Sequence, residues 1–226
     1  MTEAMLINGE RVPSVTGEWF DVVDPATEEV VGQAPMANED DARRAIAAAH
    51  TAFRSWLRTV ILPTASVRNN NWGDAGTFLR AAVTDYLGDA AGFSAAIAKW
   101  KSLVDLIAAD GHIPEETRRG SSGLNYTQEA LDYKVAVAVI AQRRGIDLWS
   151  YGRFKLAVDY AAKYVLNPSA WPWASGASAT IHPLWEIAYQ HWQNPAYKPI
   201  IQKRRPYSAD GHSAERWTTL TNGIPF

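Results

Sequence analysis

Three clusters of polar and aromatic residues have side chains that could bind or transform a ligand. The clusters are Arg68-Asn69-Asn70-Asn71-Trp72, the segment 110–119 with Tyr126 seven residues after Arg119, and the tryptophans Trp171, Trp173, Trp185, Trp192 and Trp217. Amide and guanidinium groups donate hydrogen bonds to carboxylates, and a phenol can transfer a proton. Each cluster also has a structural explanation, namely a helix N-cap after a turn, a solvated loop before a helix, and aromatic side chains in a core.

The composition restricts the class of protein to which the chain can belong. Its 226 residues, 47% of them hydrophobic, suffice for one core, or for one domain with an appendage. The net charge of -2 gives no reason to expect nucleic acid or a membrane surface as a partner. The absence of cysteine excludes disulfides, thiolate metal sites and a cysteine nucleophile. No apolar run reaches the length of a membrane helix, and the first residues lack the pattern of a signal peptide, so the compartment stays open.

A change in composition near residue 60 predicts two domains. The first 60 residues carry five arginines and ten acidic residues, whereas the remainder carries 17 basic and 14 acidic residues. Eight of the ten tryptophans stand at or after Trp72. We therefore place the boundary between residues 58 and 59, which gives the segments 1–58 and 59–226.

The first segment predicts a small β-hairpin arm followed by a helix. Asn8-Gly9 between two short apolar runs is a strong hairpin signal, and further strands are expected at 19–23 and 30–34. Asn38 is expected to cap a helix whose first turn is acidic and whose apolar residues recur at helical spacing. This apolar stripe consists of Ala42, Ala45, Ile46, Ala49, Phe53 and Trp56.

This segment resembles the N-terminal arm of aldehyde dehydrogenases. The likeness is carried by Leu6-Ile7-Asn8-Gly9-Glu10, by the run 20–30, and by the segments 40–42 and 52–56. It covers about a quarter of the chain and ends before residue 59. The chemistry of that family proceeds through a cysteine thiohemiacetal, which a chain without cysteine cannot form. The segment is therefore a structural arm or the relic of a fusion, and dehydrogenase activity is excluded.

The second segment predicts helices joined by loops. The helices are expected at 77–87, 90–109, 126–144, 149–166 and 183–192. Gly88-Asp89, Gly145 and Asn167-Pro168 mark helix ends. Sequential antiparallel pairs of this kind indicate a mainly α fold, either a helical bundle or an α/α toroid.

The order of motifs in this segment resembles the alginate lyase superfamily of helical toroid enzymes. The likeness rests on the asparagine run before an aromatic residue, on Asp110-Gly111-His112-Ile113-Pro114-Glu115-Glu116, on the spacing from Arg119 to Tyr126, and on later segments at 142–148 and 182–189. It spans roughly residues 66–220. The family has further helices before the asparagine motif, so the resemblance implies an incomplete α/α toroid. In this register the family's histidine falls on Asn71.

The resemblance implies cleavage of a uronic-acid polymer by β-elimination. Asn70 and Asn71 would donate amide hydrogens to the uronate carboxylate, and Arg119 would add a charge-assisted hydrogen bond. Tyr126 would remove the C5 proton and return a proton to the departing O4. Asn71 cannot act as a second base in place of the histidine, because an amide does not accept a proton. A single tyrosine is therefore expected to carry out both proton transfers, which works best when the C5 proton and O4 lie on the same face of the sugar ring. That requirement favours mannuronate- or glucuronate-type polymers over guluronate.

Other residues are expected around the substrate, and some alternatives stay open. We assign substrate binding to Arg118, Trp72, His112 and Trp185. His112, His182, His191 and His212 are alternative bases, although a lone histidine is more often structural. The sequence has no HExxH motif and no paired histidines at ligand spacing, so we expect no metal and no cofactor. The expected partner is an acidic polysaccharide, the alternative is an inactive truncated chimera with at most weak binding of such a polymer, and the oligomeric state stays open.

Overall fold

The computed structural model describes residues 4–207 and 218–225 of the chain. The contacts divide the chain into two units, Met1–Pro63 and Thr64–Phe226. The predicted boundary after residue 58 lies inside a continuous helical run. In this run helix α1 (Glu39–Trp56) is followed directly by a π-helical turn, Leu57–Ile61, and by α2 (Leu62–Thr64). The apolar residues at 60–62 thus continue a helix.

Two antiparallel hairpins precede α1 in the first unit. Strands β1 (Met5–Ile7) and β2 (Glu10–Val12) pair across Asn8-Gly9, whose φ angles are 55° and 80°. A two-residue turn of this type needs positive φ at both positions, which Asn and Gly adopt most readily. Strands β3 (Trp19–Val23) and β4 (Val30–Pro35) form a second hairpin at the two positions where further strands were expected.

Helix α1 begins where the sequence predicts. The Asn38 side chain accepts the N–H of Asp41, and the Asp41 carboxylate accepts the N–H of Asn38, which completes a capping box. The apolar stripe of this helix is largely exposed, including Ile46, Phe53 and Trp56. The stripe therefore does not form a buried core.

The second unit is mainly helical. Its helices are α3 (Asn71–Leu87), α4 (Ala90–Asp105), α5 (Pro114–Thr117), α6 (Gly123–Arg143), α7 (Phe154–Val165), α8 (Leu184–Trp192), α9 (Lys198–Arg204) and α10 (Thr218–Asn222). Helix α3 begins before the predicted residue 77, and α7 begins after the predicted residue 149. The later start of α7 has a local cause, because the Asp147 carboxylate accepts the N–H of Trp149 at 2.8 Å and holds a turn there.

Helix α6 packs on α3, α4, α7 and α8, and it carries much of the buried core. Leu131, Val135 and Ala138 on this helix are fully buried. The indole N–H of Trp100 on α4 donates to the Lys134 carbonyl oxygen at 3.0 Å. The polar group of this fully buried side chain therefore has a hydrogen-bond partner inside the core. The core of the second unit is thus centred on α6.

Helices α3 and α6 run in the same direction. Helix α4 follows α3 after a tight turn and runs back along it. Asp74 in the first turn of α3 bonds Lys134 in the middle of α6, and Asp85 near the end of α3 bonds Arg144 just after α6. Gly88, with φ of 70°, ends α3 and turns the chain into α4. This arrangement confirms the predicted mainly α fold. Across residues 4–207 and 218–225, no helix combines the length and the apolar character needed to cross a membrane.

Candidate functional site

The chain before α3 lies directly on the first turns of that helix. A Cβ atom on Gly73 would stand 1.7 Å from the Arg68 carbonyl oxygen, and one on Gly76 would stand 2.2 Å from the Ser66 carbonyl oxygen. Only glycine allows the backbone to approach this closely. Arg80 also donates to the Ser66 carbonyl oxygen at 2.9 Å. The segment that leads into the asparagine run is therefore fixed against α3.

Asn70 occupies the N-cap position of α3, but its side chain makes no capping hydrogen bond. The cap comes instead from Glu116 on α5, whose Oε1 accepts the N–H of Asn71 at 2.6 Å. Within the described residues, the buried Oδ1 atom of Asn70 accepts no hydrogen bond. The Asn70 side chain is thus not needed to start the helix.

Arg119 joins the asparagine run to Tyr126. Its Nη2 donates to Asn71 Oδ1 at 3.2 Å, its Nε lies 3.4 Å from Glu116 Oε2, and its Cζ lies 4.1 Å from the centre of the Tyr126 ring. A 3-10 turn, Gly120–Ser122, connects Arg119 to the first turn of α6, where Tyr126 stands. The seven-residue spacing therefore brings the guanidinium and the phenol ring into contact.

The residues of this cluster differ in accessibility. Arg119 has a 26% exposed side chain and Tyr126 is half-buried, whereas Asn71 is only 2% exposed. A ligand can therefore reach the guanidinium and the tyrosine, whereas the buried Asn71 side chain only accepts the hydrogen bond from Arg119.

A charged network lies beneath the cluster. Asp74 and Lys134 form a buried ion pair at 2.6 Å, and Glu116 is fully buried beside them. Burial raises the pKa of Glu116 from 4.5 to about 7; the N–H of Asn71 and the charges of Arg119 and Lys134 oppose this shift, and Asp74 adds to it. Burial also raises the pKa of Asp74, against the opposing charge of Lys134. The site thus contains a carboxyl group that titrates near neutral pH.

Sequence reasoning gave no role to Glu116, Asp74 or Lys134. One signal was available for Lys134, which directly precedes the apolar run 135–138 in α6. Lysine is rarely buried without a partner, so its place beside a fully apolar run implies a buried acidic group nearby. Which acidic residue fills that position depends on the packing of α3 on α6, and no local pattern gives it.

Two predicted substrate-binding residues lie at the surface next to the cluster. The exposed side chain of Arg118 pairs with Glu115 at 2.5 Å. Trp72, which follows Asn71 in the first turn of α3, is 58% exposed. Both side chains remain accessible to a polymer, and their part in substrate binding stays a prediction.

His112 pairs with an acidic residue and packs on an aromatic ring. Its Nδ1 lies 2.6 Å from Asp110 Oδ1, and its ring lies 4.6 Å from the ring of Trp173. Among the described residues, no hydrogen bond, ion pair or ring contact joins His112 to Arg119 or Tyr126. Its part in substrate binding therefore stays a prediction.

The expectation that Trp185 binds substrate is corrected by the structure. Its side chain is fully buried on α8, the indole N–H donates to Gln128 Oε1 at 3.1 Å, and the ring meets Tyr197 edge-on at 5.4 Å. Trp171 is also buried, and its indole donates to the Gly120 carbonyl oxygen. These tryptophans belong to the core, and Trp217 lies outside the described residues.

A cavity of about 650 Å³ lies at the opposite end of α6, away from this cluster. It is lined by Gln142, Trp149 and His191 among others, and Gln142 lies roughly 24 Å along the helix from Tyr126. His191 stacks on Trp149 at 4.2 Å there, which leaves it too far away to act as the base of the predicted site. Of the other alternative bases, His182 lies just before α8, and His212 lies outside the described residues.

No metal-binding group is evident in the part of the chain that the structure describes. Within residues 4–207 and 218–225, no three His, Cys, Asp or Glu side chains are grouped so that they could hold a metal ion.

Solved alginate lyases share the fold of this chain. Alginate lyase A1-III from Sphingomonas species A1 superposes with a TM-score of 0.62 at 19% identity, over 84% of this chain and 56% of that chain. An alginate lyase from Bacteroides ovatus superposes with a TM-score of 0.51 at 19% identity, over 77% of this chain and 50% of that chain. The chain thus spans about half the length of these lyases.

Aldehyde dehydrogenases match a shorter part of the chain. A probable methylmalonate-semialdehyde/malonate-semialdehyde dehydrogenase of Drosophila pseudoobscura pseudoobscura is 42% identical over 66 residues, which are 29% of this chain and 13% of that protein. The malonate-semialdehyde dehydrogenase of Bacillus velezensis is 42% identical over 55 residues, which are 24% of this chain and 11% of that protein. These matches confirm a partial resemblance to that class of protein.

The family assignment rests on a longer match. A family model described as alginate lyase matches residues 1–171 of the 226 residues. Together with the shared fold, this match confirms the resemblance predicted from the motifs. The chain therefore belongs to the alginate lyase family.

Proposed function

We propose that the cluster of Asn70, Asn71, Arg119 and Tyr126 cleaves a uronic-acid polysaccharide by β-elimination. The observation that carries this proposal is the position of Arg119, whose guanidinium contacts both Asn71 and the Tyr126 ring. A cation able to bind a carboxylate thus stands beside a phenol able to transfer a proton. Membership of the alginate lyase family agrees with this chemistry.

The first requirement of the reaction is to neutralise the uronate carboxylate. The proton on C5 becomes acidic only if the negative charge that develops on the neighbouring carboxylate is stabilised. Arg119 offers charge-assisted hydrogen bonds from its exposed edge, and the amide of Asn70 adds a neutral donor. Asn71 is nearly inaccessible, so its part is to hold Arg119 through Oδ1, which differs from the direct contact expected from the sequence.

Tyr126 carries both proton transfers in this proposal. Its phenolate removes the proton from C5, and the electron pair forms the C4–C5 double bond as the C4–O4 bond breaks. The phenol then gives the same proton to O4 of the departing chain. The products are an unsaturated uronate and a new free end of the polymer, and no water is consumed.

The use of one tyrosine for both steps restricts the substrate. The C5 proton and O4 must lie on the same face of the sugar ring, as they do in mannuronate and glucuronate but not in guluronate. Asn71 occupies the position at which the family motif has a histidine, and an amide cannot serve as a second base. We therefore expect mannuronate- or glucuronate-type polymers to be preferred.

The test is an assay that follows the ultraviolet absorbance of the unsaturated uronate product. Polymannuronate, glucuronan and polyguluronate are compared with wild-type protein and with Tyr126→Phe. Tyr86→Phe is the matched control, because Tyr86 is an exposed tyrosine near the other end of α3. We expect product from polymannuronate or glucuronan that disappears in Tyr126→Phe and persists in Tyr86→Phe.

Two other results would change the conclusion. If polyguluronate were the best substrate, the assignment of both proton transfers to Tyr126 would be wrong. If a folded wild-type protein gave no product from any polymer, the alternative of an inactive chimera would hold instead.

A further inference from the structure

We propose that Glu116 is the positioning residue of this site, and that only its ionised form holds Arg119 and the start of α3 in the arrangement that binds the uronate. This inference deepens the proposed function and rests on it. Glu116 is fully buried and contacts no substrate, so it acts through the groups that it holds. Protonation of Glu116 is therefore expected to switch the site off.

The two oxygen atoms of Glu116 face two different donors. Oε1 accepts the N–H of Asn71 at 2.6 Å, and Oε2 faces the Nε of Arg119 at 3.4 Å. Within the described residues Oε2 accepts no hydrogen bond, so the attraction between opposite charges is what holds Arg119 to it. A proton on either oxygen would meet an N–H group, and at least one of the two contacts would be lost.

The surrounding charges leave Arg119 as the cation that balances Glu116. On α3 and α6, Asp74 and Lys134 form their own ion pair at 2.6 Å, and both side chains are buried. With all four groups ionised the cluster is neutral. Protonation of Glu116 leaves one uncompensated positive charge, and Arg119, which is the most exposed of the four, can move toward solvent.

The ionisation of Glu116 falls within the range of ordinary working conditions. Burial raises its pKa to about 7, against the opposing effects of the Asn71 N–H, Arg119 and Lys134. Asp74 raises the same pKa further. The contribution of Glu116 to the activity should therefore be complete above this pH and should fall as the pH drops through it.

The experiment compares the pH profiles of wild type, Glu116→Gln and Glu115→Gln. Glutamine has the shape of protonated Glu116, and the Glu115 variant makes the same substitution one residue away at a more exposed site. We expect the wild-type kcat/KM, divided by that of Glu116→Gln at the same pH so that ionisations common to both proteins cancel, to fall about tenfold per pH unit on the acid side of about pH 7. At high pH Glu116→Gln should be about 10²-fold slower than wild type, because a small misplacement of a binding group has effects of this size. Glu115→Gln should keep the wild-type profile.

A purely structural role predicts something different. In that case Glu116→Gln would lose activity in proportion to its folded fraction, measured by circular dichroism, and the remaining activity would keep the wild-type pH profile. That result, or a wild-type rate and profile in Glu116→Gln, would overturn the inference.

A second measurement separates this inference from the proposed function. The NMR resonance of the Arg119 Nε–H group should shift with a midpoint near pH 7 in wild type and should not titrate in Glu116→Gln. If this shift occurs while no polymer yields product, the coupling of Glu116 to Arg119 stands and the proposed lyase activity fails. If the resonance does not titrate in wild type, the coupling is refuted whatever the activity.

Discussion

The guanidinium of Arg119 lies 4.1 Å from the centre of the Tyr126 ring and also donates to Oδ1 of Asn71. A flat cation can stack on a ring and direct hydrogen bonds along its edge at the same time. A lysine at this position would keep the charge, but it would have neither the planar face nor the fixed directions of the donors. The geometry therefore depends on arginine and not only on positive charge.

We expect Arg119→Lys to lower kcat/KM by about 10²-fold, because the cation would no longer be fixed between Asn71 and the Tyr126 ring. Initial rates of unsaturated product on the best polymer measure the effect. Arg118→Lys is the matched comparison, since its exposed side chain pairs with Glu115 at the surface and should change KM only slightly. Unchanged kinetics in Arg119→Lys would show that the stacked geometry is unimportant.

The burial of Glu116 makes the stability of the protein depend on pH. The pKa of its carboxyl is about 7 in the folded chain, compared with an ordinary value of 4.5, so the folded state binds the proton more tightly. The resulting stabilisation is complete below pH 4.5 and is lost as the pH rises through about 7. The difference between the two pKa values corresponds to about 3 kcal/mol.

Relative to Glu116→Gln, wild type should therefore gain up to about 3 kcal/mol of unfolding free energy between about pH 8 and about pH 5. Urea unfolding of both proteins at the two pH values gives this difference. Glu115→Gln serves as the control, and its stability relative to wild type should not change in this way. If the difference between wild type and Glu116→Gln stayed constant, the pKa of Glu116 in the folded state would have to be close to its ordinary value.

Much of the fold could be predicted because local signals determine it. Asn8-Gly9 specifies the first hairpin and Asn38 caps α1, so both elements form where the sequence indicates. The start of α3 was less predictable, because the group that caps Asn71 is Glu116, which is distant in the chain. A cap supplied by another element leaves no local pattern to recognise.

The site shows the same division between local and distant contacts. Arg119 and Tyr126 could be paired through the resemblance to the alginate lyase superfamily, and they do meet because one turn and the start of a helix separate them. The expectation for Trp185 was wrong, because only packing decides which face of a helix is buried, and here Trp185 meets Gln128 inside the core. Lys134 went unassigned for a related reason, since its partner belongs to a different helix.

The ion pair between Asp74 and Lys134 is expected to be costly to break. Lys134→Met would leave the Asp74 carboxylate buried without a partner, which should lower the unfolding free energy by about 3–5 kcal/mol. The double variant Asp74→Leu/Lys134→Met removes both charges and should recover much of that loss. Urea unfolding of the single and double variants forms the thermodynamic cycle, and simple additivity of the losses would contradict the pairing.

An exposed tryptophan, Trp72, and a buried one, Trp185, should respond differently to substitution by alanine. Trp72 is exposed beside Asn71, so Trp72→Ala should raise KM about fivefold through loss of about 1 kcal/mol of stacking on the sugar. Its unfolding free energy should change by no more than about 0.5 kcal/mol. Trp185→Ala should show the reverse, a loss of about 3–5 kcal/mol in stability with unchanged KM for the folded fraction. An unchanged KM in Trp72→Ala would remove Trp72 from the site, whereas a stable Trp185→Ala protein with a raised KM would return Trp185 to it.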